Sequence, residues 1–455
     1  MNDYQAFIER RTQWGGESGF SCELPSFLYD FQADLVSWAL RKGRAAIFAD
    51  TGLGKTAMQL AWANAVVKHT NKPVLLATPI AVGPQTVEES IKFGVDAMRS
   101  RDGKIPSSPQ VVVTNYERLG KFNPSDFAGM VCDESSCLKD AKTVRKETVV
   151  EFMRLMPYRL LCTATAAPND YWELGTSSEA LGYLGSRDML TTFFKMEDGK
   201  YEHGLGWGRT KFRFRGHAQK PFWSWVCSWA KCIRSPADIG YDGSRFVLPP
   251  LIETEHTVST AKLRNGMLVP LPAVGLREQR EERRISIRER VEYAADLIAK
   301  HDGVSVAWCE LNDEADAMEE LIPDSKQVSG SMDDDEKEEI FTAFTRGQLP
   351  TLITKPKIGC WGLNWQHCNH IIEFPTNSFE QHYQLIRRCH RYGQKKSVKL
   401  NIVCSEGEEG ILKNLRRKEE QAEKMYCSLR DHMNDPQHLT KSDIFQLTEN
   451  VPSWL

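Results

Sequence analysis

The sequence lacks the features that mark secreted, membrane-embedded or zinc-stabilised chains. No apolar run approaches the ~20 residues that a membrane-spanning helix needs, and residues 1–16 contain no apolar core of a signal peptide. The twelve cysteines include no Cys-x-x-Cys pair, and the closest spacings, Cys132/Cys137 and Cys227/Cys232, are too loose for a zinc knuckle. We therefore expect a cytosolic protein with no membrane partner, whose reduced thiols mostly fill the core.

Low-complexity tracts and internal repeats are also absent from the 455 residues, of which 41% are hydrophobic and 26% are charged. A chain of this length is enough for about two or three domains with cores of ordinary size. The net charge of −3 conceals a separation of charge along the chain. Residues 206–235 carry seven Lys and Arg and no acid, whereas residues 310–340 carry thirteen Asp and Glu and two Lys. The basic segment therefore predicts a surface for a polyanion.

A phosphate-binding loop is predicted near residue 50. The apolar run 45–49 reads as a buried strand, a glycine-rich turn follows, and a helical pattern extends from about Lys55 to Val67. In such a loop the backbone N–H groups bind anions, the lysine reaches the β- and γ-phosphates, and the hydroxyl of Thr56 can hold Mg²⁺. Ala49 stands where the strict eight-residue pattern has glycine, but the surrounding strand and helix still indicate a nucleotide site.

Gln32 lies upstream of this loop, at the start of an amphipathic pattern that runs to Leu40. A carboxamide offers one donor and one acceptor, which suits bidentate recognition of an adenine edge. A surface helix position is the alternative for a glutamine considered alone, and its place before the loop favours contact with the base. The residues predicted to bind the nucleotide are Gln32, Thr51, Gly52, Leu53, Gly54, Lys55 and Thr56.

Polar side chains end three further apolar runs. Thr78 and Asn115 follow two runs that are typical of central parallel strands covered on both faces, so both should lie at the sheet edge that holds the phosphate loop. A third run ends in two adjacent acids, Asp133 and Glu134. Beside a phosphate loop, Asp133 can hold Mg²⁺ through water, and Glu134 can orient and deprotonate the attacking water.

Two small hydroxyl residues follow the last apolar run of this half of the chain. Thr163 and Thr165 come directly after the run that ends at Cys162. Their hydroxyls can hydrogen-bond Glu134 and report the state of the γ-phosphate to a neighbouring domain. The alternative is a Ser/Thr turn without a function.

The order of these motifs resembles helicase superfamily two, and within it the Swi/Snf-type translocases of double-stranded DNA. The resemblance implies two tandem RecA-like parallel-sheet domains, use of ATP with Mg²⁺, and DNA as the partner. Ser136 stands where that group usually has histidine, and Ala166 stands where it usually has proline. The segments that carry the resemblance are GLGKT at 52–56, VVVTNYERL at 111–119, DESSCLKD at 133–140 and TATAAPNDYWEL at 163–174.

Residues 171–250 follow no simple α/β rhythm and are rich in tryptophan. Basic residues alternate there with Phe212 and Phe214, which predicts contacts with backbone phosphates. The alternative is a core-facing strand with a solvated basic face, and for the two phenylalanines it is the favoured interpretation. The residues predicted to contact nucleic acid are Thr78, Asn115, Lys211, Arg213, Arg215 and, from the second half of the chain, Asn364.

A second parallel sheet is predicted from Val304 onward, where strands and helices alternate without a phosphate loop. The string QLIRRCHRYGQ, residues 384–394, is the sharpest motif of this half. Arg388 and Arg391 lie three residues apart, so a helix would place both on one face, where they would act as arginine fingers on the γ-phosphate. Two surface arginines are the alternative.

Four residues are predicted to couple ATP to movement: Thr163, Thr165, Gly362 and Gln384. Gly362 belongs to a segment that resembles the DNA-contacting motif of the second domain. Cysteines and histidines also occur around that segment, and we reject a metal site there because the motif already explains it. The residues of that rejected site are Cys360, His367, Cys368 and His370.

The sequence therefore predicts an ATP-dependent DNA translocase that hydrolyses ATP in the cleft between two RecA-like lobes. The alternatives are a strand-separating helicase of replication or recombination, and a nucleic-acid-binding scaffold with a decayed ATPase, against which Lys55 and Glu134 argue. The compact chain resembles bacterial or phage-encoded members, so we expect a bacterial or phage-infected cytoplasm. The predicted domains are a first motor domain at 1–170, an aromatic and basic insertion lobe at 171–250, a linker with a charged helix at 251–298, a second motor domain at 299–433 and a tail at 434–455.

Overall fold

The computed structural model of the protein contains two compact units, each built on a parallel sheet. One unit is Met1–Arg245 together with Gln421–Leu455, and the other is Phe246–Glu420. The α/β class with two parallel-sheet domains is confirmed. The residues that the structure describes are 16–79, 82–139, 144–167, 170–196, 212–260, 275–359 and 363–433.

The first unit is organised around a seven-stranded sheet in the order β3-β4-β2-β5-β6-β1-β9, in which every neighbouring pair is parallel. Its central strands are apolar and buried along almost their whole length, as strands covered on both faces must be. The strands of this unit are β1 (Arg44–Ala49), β2 (Val74–Thr78), β3 (Ala97–Arg99), β4 (Val111–Asn115), β5 (Gly129–Asp133), β6 (Tyr158–Thr163), β7 (Phe194–Met196), β8 (Phe212–Phe214) and β9 (Ala230–Ile233). Its helices are α1 (Asp30–Lys42), α2 (Lys55–Thr70), α3 (Gly83–Lys92), α4 (Val144–Arg154), α5 (Leu174–Leu181), α6 (Ser186–Phe193) and α7 (Gln219–Cys227).

The predicted insertion lobe at 171–250 is not separate from the first unit. Strand β9 pairs with β1 and becomes the edge of the first sheet, because its apolar residues bury themselves against that strand. Strands β7 and β8 form an antiparallel hairpin in which Phe194 lies opposite Phe214 and their rings stack 4.6 Å apart. Phe212 and Phe214 pack against the core, which confirms the core-facing interpretation of these two residues.

The second unit contains a six-stranded sheet in the order β10-β15-β14-β11-β13-β12, again with parallel pairs throughout. The predicted strands and helices between 304 and 354 are present within one or two residues. The strands of this unit are β10 (Leu251–Val258), β11 (Ser305–Trp308), β12 (Ser325–Val328), β13 (Thr351–Thr354), β14 (His370–Glu373) and β15 (Val398–Ser405). Its helices are α8 (Leu276–Ile285), α9 (Ile287–Ala299), α10 (Asn312–Leu321), α11 (Asp334–Thr345), α12 (Pro356–Gly359), α13 (Phe379–Cys389) and α14 (Glu409–Met433).

The segment 251–298, predicted as a linker, is part of the second unit. Strand β10 pairs with β15 over eight residues, and helices α8 and α9 follow it in the same unit. Charged residues of these helices point inward rather than to solvent. Arg290 and Glu314 are fully buried and their charged groups lie 2.7 Å apart, while Arg283 donates to Glu408 at 2.9 Å. The high charge of this segment therefore indicated an internal ion-pair network instead of a linker.

Arg290→Met is expected to destabilise the second unit by about 3–5 kcal/mol, because it leaves the buried carboxylate of Glu314 without its cation and Glu408 with Arg283 alone. Urea unfolding followed by tryptophan fluorescence measures the loss. Arg288→Met is the matched control, since Arg288 is exposed and its ion pair among the described residues is with Glu292 one helical turn away, a contact worth less than about 1 kcal/mol. Equal midpoints for the two variants would contradict the buried network.

The end of helix α14 belongs to the first unit, although residues 299–433 were predicted as one domain. Met425, Tyr426 and Leu429 are buried in the first hydrophobic core. The Tyr426 hydroxyl donates to Asp238, and the guanidinium of Arg234 lies 3.9 Å from the centre of the Tyr426 ring. The predicted domain boundary at residue 433 is wrong because the end of α14 packs against a core whose other residues lie far away in the sequence. The predicted tail, 434–455, lies outside the described residues.

Among the described residues, no helix is long and apolar enough to cross a membrane.

Candidate active site

The phosphate-binding loop connects β1 to α2 in the first unit. Gly52 and Gly54 have φ angles of 93° and 76°, a left-handed conformation that glycine adopts without strain. Lys55 is the first residue of α2, and its Nζ donates to the carbonyls of Ala49 at 3.0 Å and Asp50 at 3.4 Å. The loop, the helix N-terminus and the lysine therefore have the arrangement that the sequence predicts for a phosphate cradle, and phosphate binding stays a prediction.

Gln32 is buried beside this loop and holds it in place. Its Oε1 accepts from the backbone N–H of Tyr29 at 3.0 Å, and its Nε2 donates to the carbonyl of Leu53 at 2.8 Å. A Cβ at Gly54 would clash with that Nε2, so only glycine permits the approach. A carboxamide has a second N–H and a second lone pair, which are the groups that a contact with adenine would use. Recognition of the base stays a prediction.

The two acids lie at the end of β5. Both are buried, and Glu134 adopts a left-handed φ of 52°, which is uncommon for a residue with a side chain and occurs often at functional sites. Burial and the neighbouring charge of Glu134 raise the pKa of Asp133 to about 6, although Gln59 and Lys55 oppose the shift. Two adjacent buried carboxylates are what a divalent cation stabilises, and the hydroxyl of Thr56 is a suitable further oxygen ligand. The donor set therefore fits Mg²⁺.

Thr163 makes the predicted contact with Glu134. Its hydroxyl donates to Glu134 Oε2 at 3.2 Å, and it accepts from the backbone N–H of Thr165 at 3.1 Å. Thr165 therefore acts here through its amide, while its own hydroxyl is enclosed without a hydrogen-bond partner among the described residues. The contacts connect the Glu134 carboxylate to the segment after β6. Its role in coupling stays a prediction.

Sequence reasoning missed two residues that position Asp133. Gln59 is fully buried on α2 and its Nε2 donates to Asp133 Oδ1 at 2.7 Å. Tyr116 donates its hydroxyl to the Asp133 carbonyl at 2.5 Å. Gln59 could have been found from its spacing, because it lies four residues after Lys55 and so shares its helix face. Tyr116 has no comparable pattern in the sequence.

Gln59→Leu is expected to weaken Mg²⁺ binding to the nucleotide complex by about 10–100-fold, because the partner that orients the Asp133 carboxylate is removed. Titration of Mg²⁺ against a fluorescent ATP analogue bound to the protein measures the midpoint without relying on turnover. Gln85→Leu is the matched control, since among the described residues the Gln85 side chain hydrogen-bonds to the nearby Glu89 on α3 and not to Asp133. An unchanged midpoint in Gln59→Leu would show that Asp133 needs no such support.

The predicted nucleic-acid residues of the first unit differ in accessibility. Thr78 is fully buried, and its hydroxyl donates to the Pro79 carbonyl at 3.0 Å, so its side chain makes no surface in this conformation. Asn115 is half-buried at the end of β4. Arg213 and Arg215 are exposed, and the Nε of Arg215 donates to a hairpin carbonyl at 2.9 Å. Lys211 lies outside the described residues.

The two predicted arginine fingers lie close together in the second unit, but not on one helix. Helix α13 ends at Cys389, so Arg388 is helical whereas Arg391 follows the helix end in a turn completed by Gly393, whose φ is 94°. The prediction of one helix face is therefore wrong. Both guanidinium groups donate to the Leu363 carbonyl, Arg388 at 3.1 Å and Arg391 at 3.3 Å, and this shared acceptor brings them together.

The remaining motif residues of the second unit join the same cluster. Gln384 is buried and its Oε1 accepts from Arg388 at 2.7 Å, and Asn364 accepts from Arg391 through its side-chain oxygen. Gly362 lies outside the described residues. The structure thus gathers Gln384, Asn364 and both arginines around the loop at 363–364.

The rejected metal site gains no support from the geometry. The ring of His370 contacts the Ser305 hydroxyl at 2.8 Å and the Asn401 side chain at 3.0 Å, and burial lowers the pKa of His370 to about 3. Cys368 donates its thiol to backbone carbonyls. Cys360 lies outside the described residues, and the described ones contain no group of three or more His, Cys, Asp or Glu able to hold a metal.

Comparison with known proteins agrees with this geometry. Residues 289–393, which include Arg388 and Arg391, match the helicase conserved C-terminal domain. An alignment over 261 positions, which covers 54% of this chain, is 24% identical to a Xenopus laevis protein described as "SWI/SNF-related matrix-associated actin-dependent regulator of chromatin subfamily A-like protein 1". The resemblance to the Swi/Snf type of helicase superfamily two is confirmed. The match spans 23% of that relative's length, and a bacterial or phage origin stays a prediction.

The family-model match lies in the second unit. The first unit contains the features that the resemblance implies for an ATP site: a glycine-rich loop with Lys55, an adjacent acidic pair, and a threonine hydrogen-bonded to the second acid. All lie at one edge of its parallel sheet. That edge is where parallel α/β sheets bind their ligands. Both halves of the chain therefore present the residues that the superfamily resemblance implies.

Proposed function

We propose that the protein hydrolyses ATP and uses the energy to move along double-stranded DNA. The observation that carries the proposal is the surroundings of Glu134, which is buried, bonded to Thr163 and adjacent to Asp133 in the unit that carries the phosphate-binding loop. A decayed site would have no reason to keep a buried carboxylate in a left-handed backbone conformation. The geometry therefore favours an enzyme over a scaffold.

The residues of the first unit divide the work of hydrolysis. The loop amides and Lys55 bind the phosphates, and Glu134 orients a water and accepts its proton. Thr56 and Asp133 would hold Mg²⁺, which supplies charge stabilisation on the phosphates when bound. Gln59 donates to one oxygen of Asp133 and so fixes the orientation of the carboxylate. The other oxygen would be available to Mg²⁺.

Arg388 and Arg391 are assigned to the γ-phosphate through the superfamily resemblance. In this structure Leu363 accepts from both guanidinium groups. If an arginine contacts a phosphate through the Nη1 that now donates to Leu363, that bond breaks, and the loop at 363–364 exchanges its partners. Because Asn364 is a predicted DNA contact, this exchange would couple ATP binding and hydrolysis to the affinity for DNA.

The exposed face of the β7–β8 hairpin supports a polyanionic partner. Lys195 and Arg213 lie directly opposite each other on exposed positions of the two strands, and Arg215 comes directly after the end of β8. Like charges in this arrangement destabilise a hairpin, and a phosphate backbone would remove that cost. We therefore assign Arg213 and Arg215 to DNA backbone contacts.

The deciding experiment is the ATPase rate measured side by side with duplex DNA, single-stranded DNA and RNA. We expect duplex DNA to give the largest stimulation. Equal stimulation by single-stranded DNA together with strand displacement would favour the helicase alternative. Absence of hydrolysis with every nucleic acid would favour the scaffold.

Gln32→Ala is expected to reduce the preference for ATP over GTP by about 1–3 kcal/mol, because an amide paired with the adenine edge leaves an unsatisfied partner when guanine replaces it. Competition of the two nucleotides for a fluorescent analogue measures the ratio of affinities. The ratio separates base recognition from support of the Leu53 carbonyl, since loss of that support weakens both nucleotides equally. Equal affinities of the unmodified protein for GTP and ATP would show that Gln32 does not recognise the base.

A further inference from the structure

Two segments of the first unit meet at the sheet edge beyond β3 and β4. These strands are parallel neighbours, so the loop that starts at Ser100 and the 3₁₀ turn Tyr116–Lys121 leave the sheet at the same edge. Gly103 has a left-handed φ of 89°, and a Cβ there would lie 2.5 Å from the carbonyl of Lys121. Only glycine lets the loop approach the turn so closely.

Cationic side chains converge where the two segments meet. Arg118 Nη1 and Lys121 Nζ both donate to the Arg101 carbonyl, at 3.0 Å and 3.1 Å. Neither side chain pairs with a carboxylate among the described residues, and the acid of this loop, Asp102, is paired with Lys104 at 2.8 Å. Two positive groups held side by side repel each other unless an anion lies between them.

We propose that Arg118 and Lys121, both held against the Arg101 carbonyl, form a binding site for the phosphodiester backbone of DNA, here named the phosphate corner. The inference rests on the proposed function and adds a contact that the motif residues do not include. A guanidinium and an ammonium already oriented by a shared backbone acceptor lose little freedom when they bind a phosphate oxygen. Contacts of this kind fix the position of a duplex without selecting its sequence.

The phosphate corner is separate from the ATP site. Strand β4 is four positions from β1 in the sheet order, which at about 4.8 Å per strand places the two sites on the order of 19 Å apart. The corner instead follows directly after Asn115, which ends β4 and is a predicted DNA contact. A DNA backbone that contacts Asn115 is therefore close enough in the fold to contact the phosphate corner as well.

The double variant Arg118→Gln/Lys121→Gln tests the site. Glutamine removes the charge but can still donate to the Arg101 carbonyl, so the turn keeps its bonds. Fluorescence anisotropy with a labelled duplex, repeated from 50 to 200 mM salt, gives the slope of log affinity against log salt concentration. Each lost phosphate contact reduces the magnitude of that slope by about 0.9, so we expect a decrease of about 1.8.

The matched control is Lys68→Gln/Lys72→Gln, which makes the same charge change at exposed positions near the end of α2, before β2 begins. The control should retain the slope of the unmodified protein, because Lys68 and Lys72 lie near the start of β2, whereas the phosphate corner follows the carboxyl ends of the parallel strands β3 and β4. Basal ATPase without DNA and the melting temperature should be unchanged in both variants, since neither pair of residues belongs to the ATP site.

The outcomes separate the phosphate corner from the proposed function. An unchanged slope in Arg118→Gln/Lys121→Gln, with duplex DNA still stimulating the ATPase, would overturn the corner alone. Inorganic phosphate, titrated by calorimetry, identifies the source of the anion: binding of free phosphate with an unchanged DNA slope also overturns the corner as a DNA contact. If duplex DNA neither binds nor stimulates the unmodified protein, the proposed function fails and the corner fails with it.

Discussion

Glu134→Gln is expected to bind ATP as tightly as the unmodified protein while its turnover falls by about 10²–10⁴-fold. The amide has the shape of the carboxylate and can still accept from the Thr163 hydroxyl, so the local structure is kept. It cannot accept the proton of the attacking water, so only the chemical step is lost. Equilibrium binding of a fluorescent ATP analogue and single-turnover hydrolysis measure the two effects separately.

Two comparisons make this result specific. Lys55→Ala should lose phosphate binding, which is the opposite pattern, because the charge that holds the β- and γ-phosphates is gone. Glu88→Gln, the same change at an exposed position of α3, should change neither quantity. Normal turnover in Glu134→Gln would show that another group activates the water and that the acidic pair has been misassigned.

Arg388→Ala is expected to lower DNA-stimulated turnover by about 10³-fold or more, because an arginine finger stabilises the charge that develops on the transferred phosphoryl group. ATP binding should be almost intact, since the phosphate loop and its lysine lie in the other unit. Stopped-flow hydrolysis with saturating duplex DNA, together with equilibrium binding of ATP and of DNA, measures these effects.

The controls for Arg388 address its burial. Its guanidinium also donates to Gln384 and Leu363, so thermal unfolding must be recorded for each variant. Arg387→Ala removes the neighbouring arginine, whose guanidinium lies 5.0 Å from the centre of the Tyr383 ring, and should retain turnover. Arg388→Lys keeps the charge but loses the planar fork, so a folded Arg388→Lys protein that is equally impaired would assign the effect to geometry. Full turnover in a folded Arg388→Ala protein would exclude the finger role.

Local patterns predicted most of what positions the candidate site. The strand before the phosphate loop, the helix after it and the acids at the end of β5 each depend on a short stretch of sequence, and all are present. Hydrogen bonds such as Gln59 to Asp133 were missed because they join residues 74 positions apart. The spacing from Lys55 indicates only which face of α2 Gln59 shares, and no local pattern identifies Asp133 as its partner.

Domain boundaries were the weakest part of the prediction for the same reason. Strands β9 and β10 lie in segments that resemble an insertion and a linker when considered alone, yet each pairs with a strand that is distant in sequence. The charged helices α8 and α9 were misinterpreted because a buried arginine and a solvated arginine look alike in a sequence. Only the position of Glu314 and Glu408 shows that Arg290 is internal.

The first unit is discontinuous along the chain, and this has a consequence for synthesis on the ribosome. Its core includes Met425, Tyr426 and Leu429, which are translated only after the whole of Phe246–Glu420. The second unit is continuous and can therefore complete its fold first, while the first unit still has part of its apolar core uncovered. Such an intermediate is prone to aggregation. Expression of residues 16–245 alone should accordingly give poorly soluble protein. Supplying residues 421–433, either fused through a linker or as a separate peptide, should restore solubility.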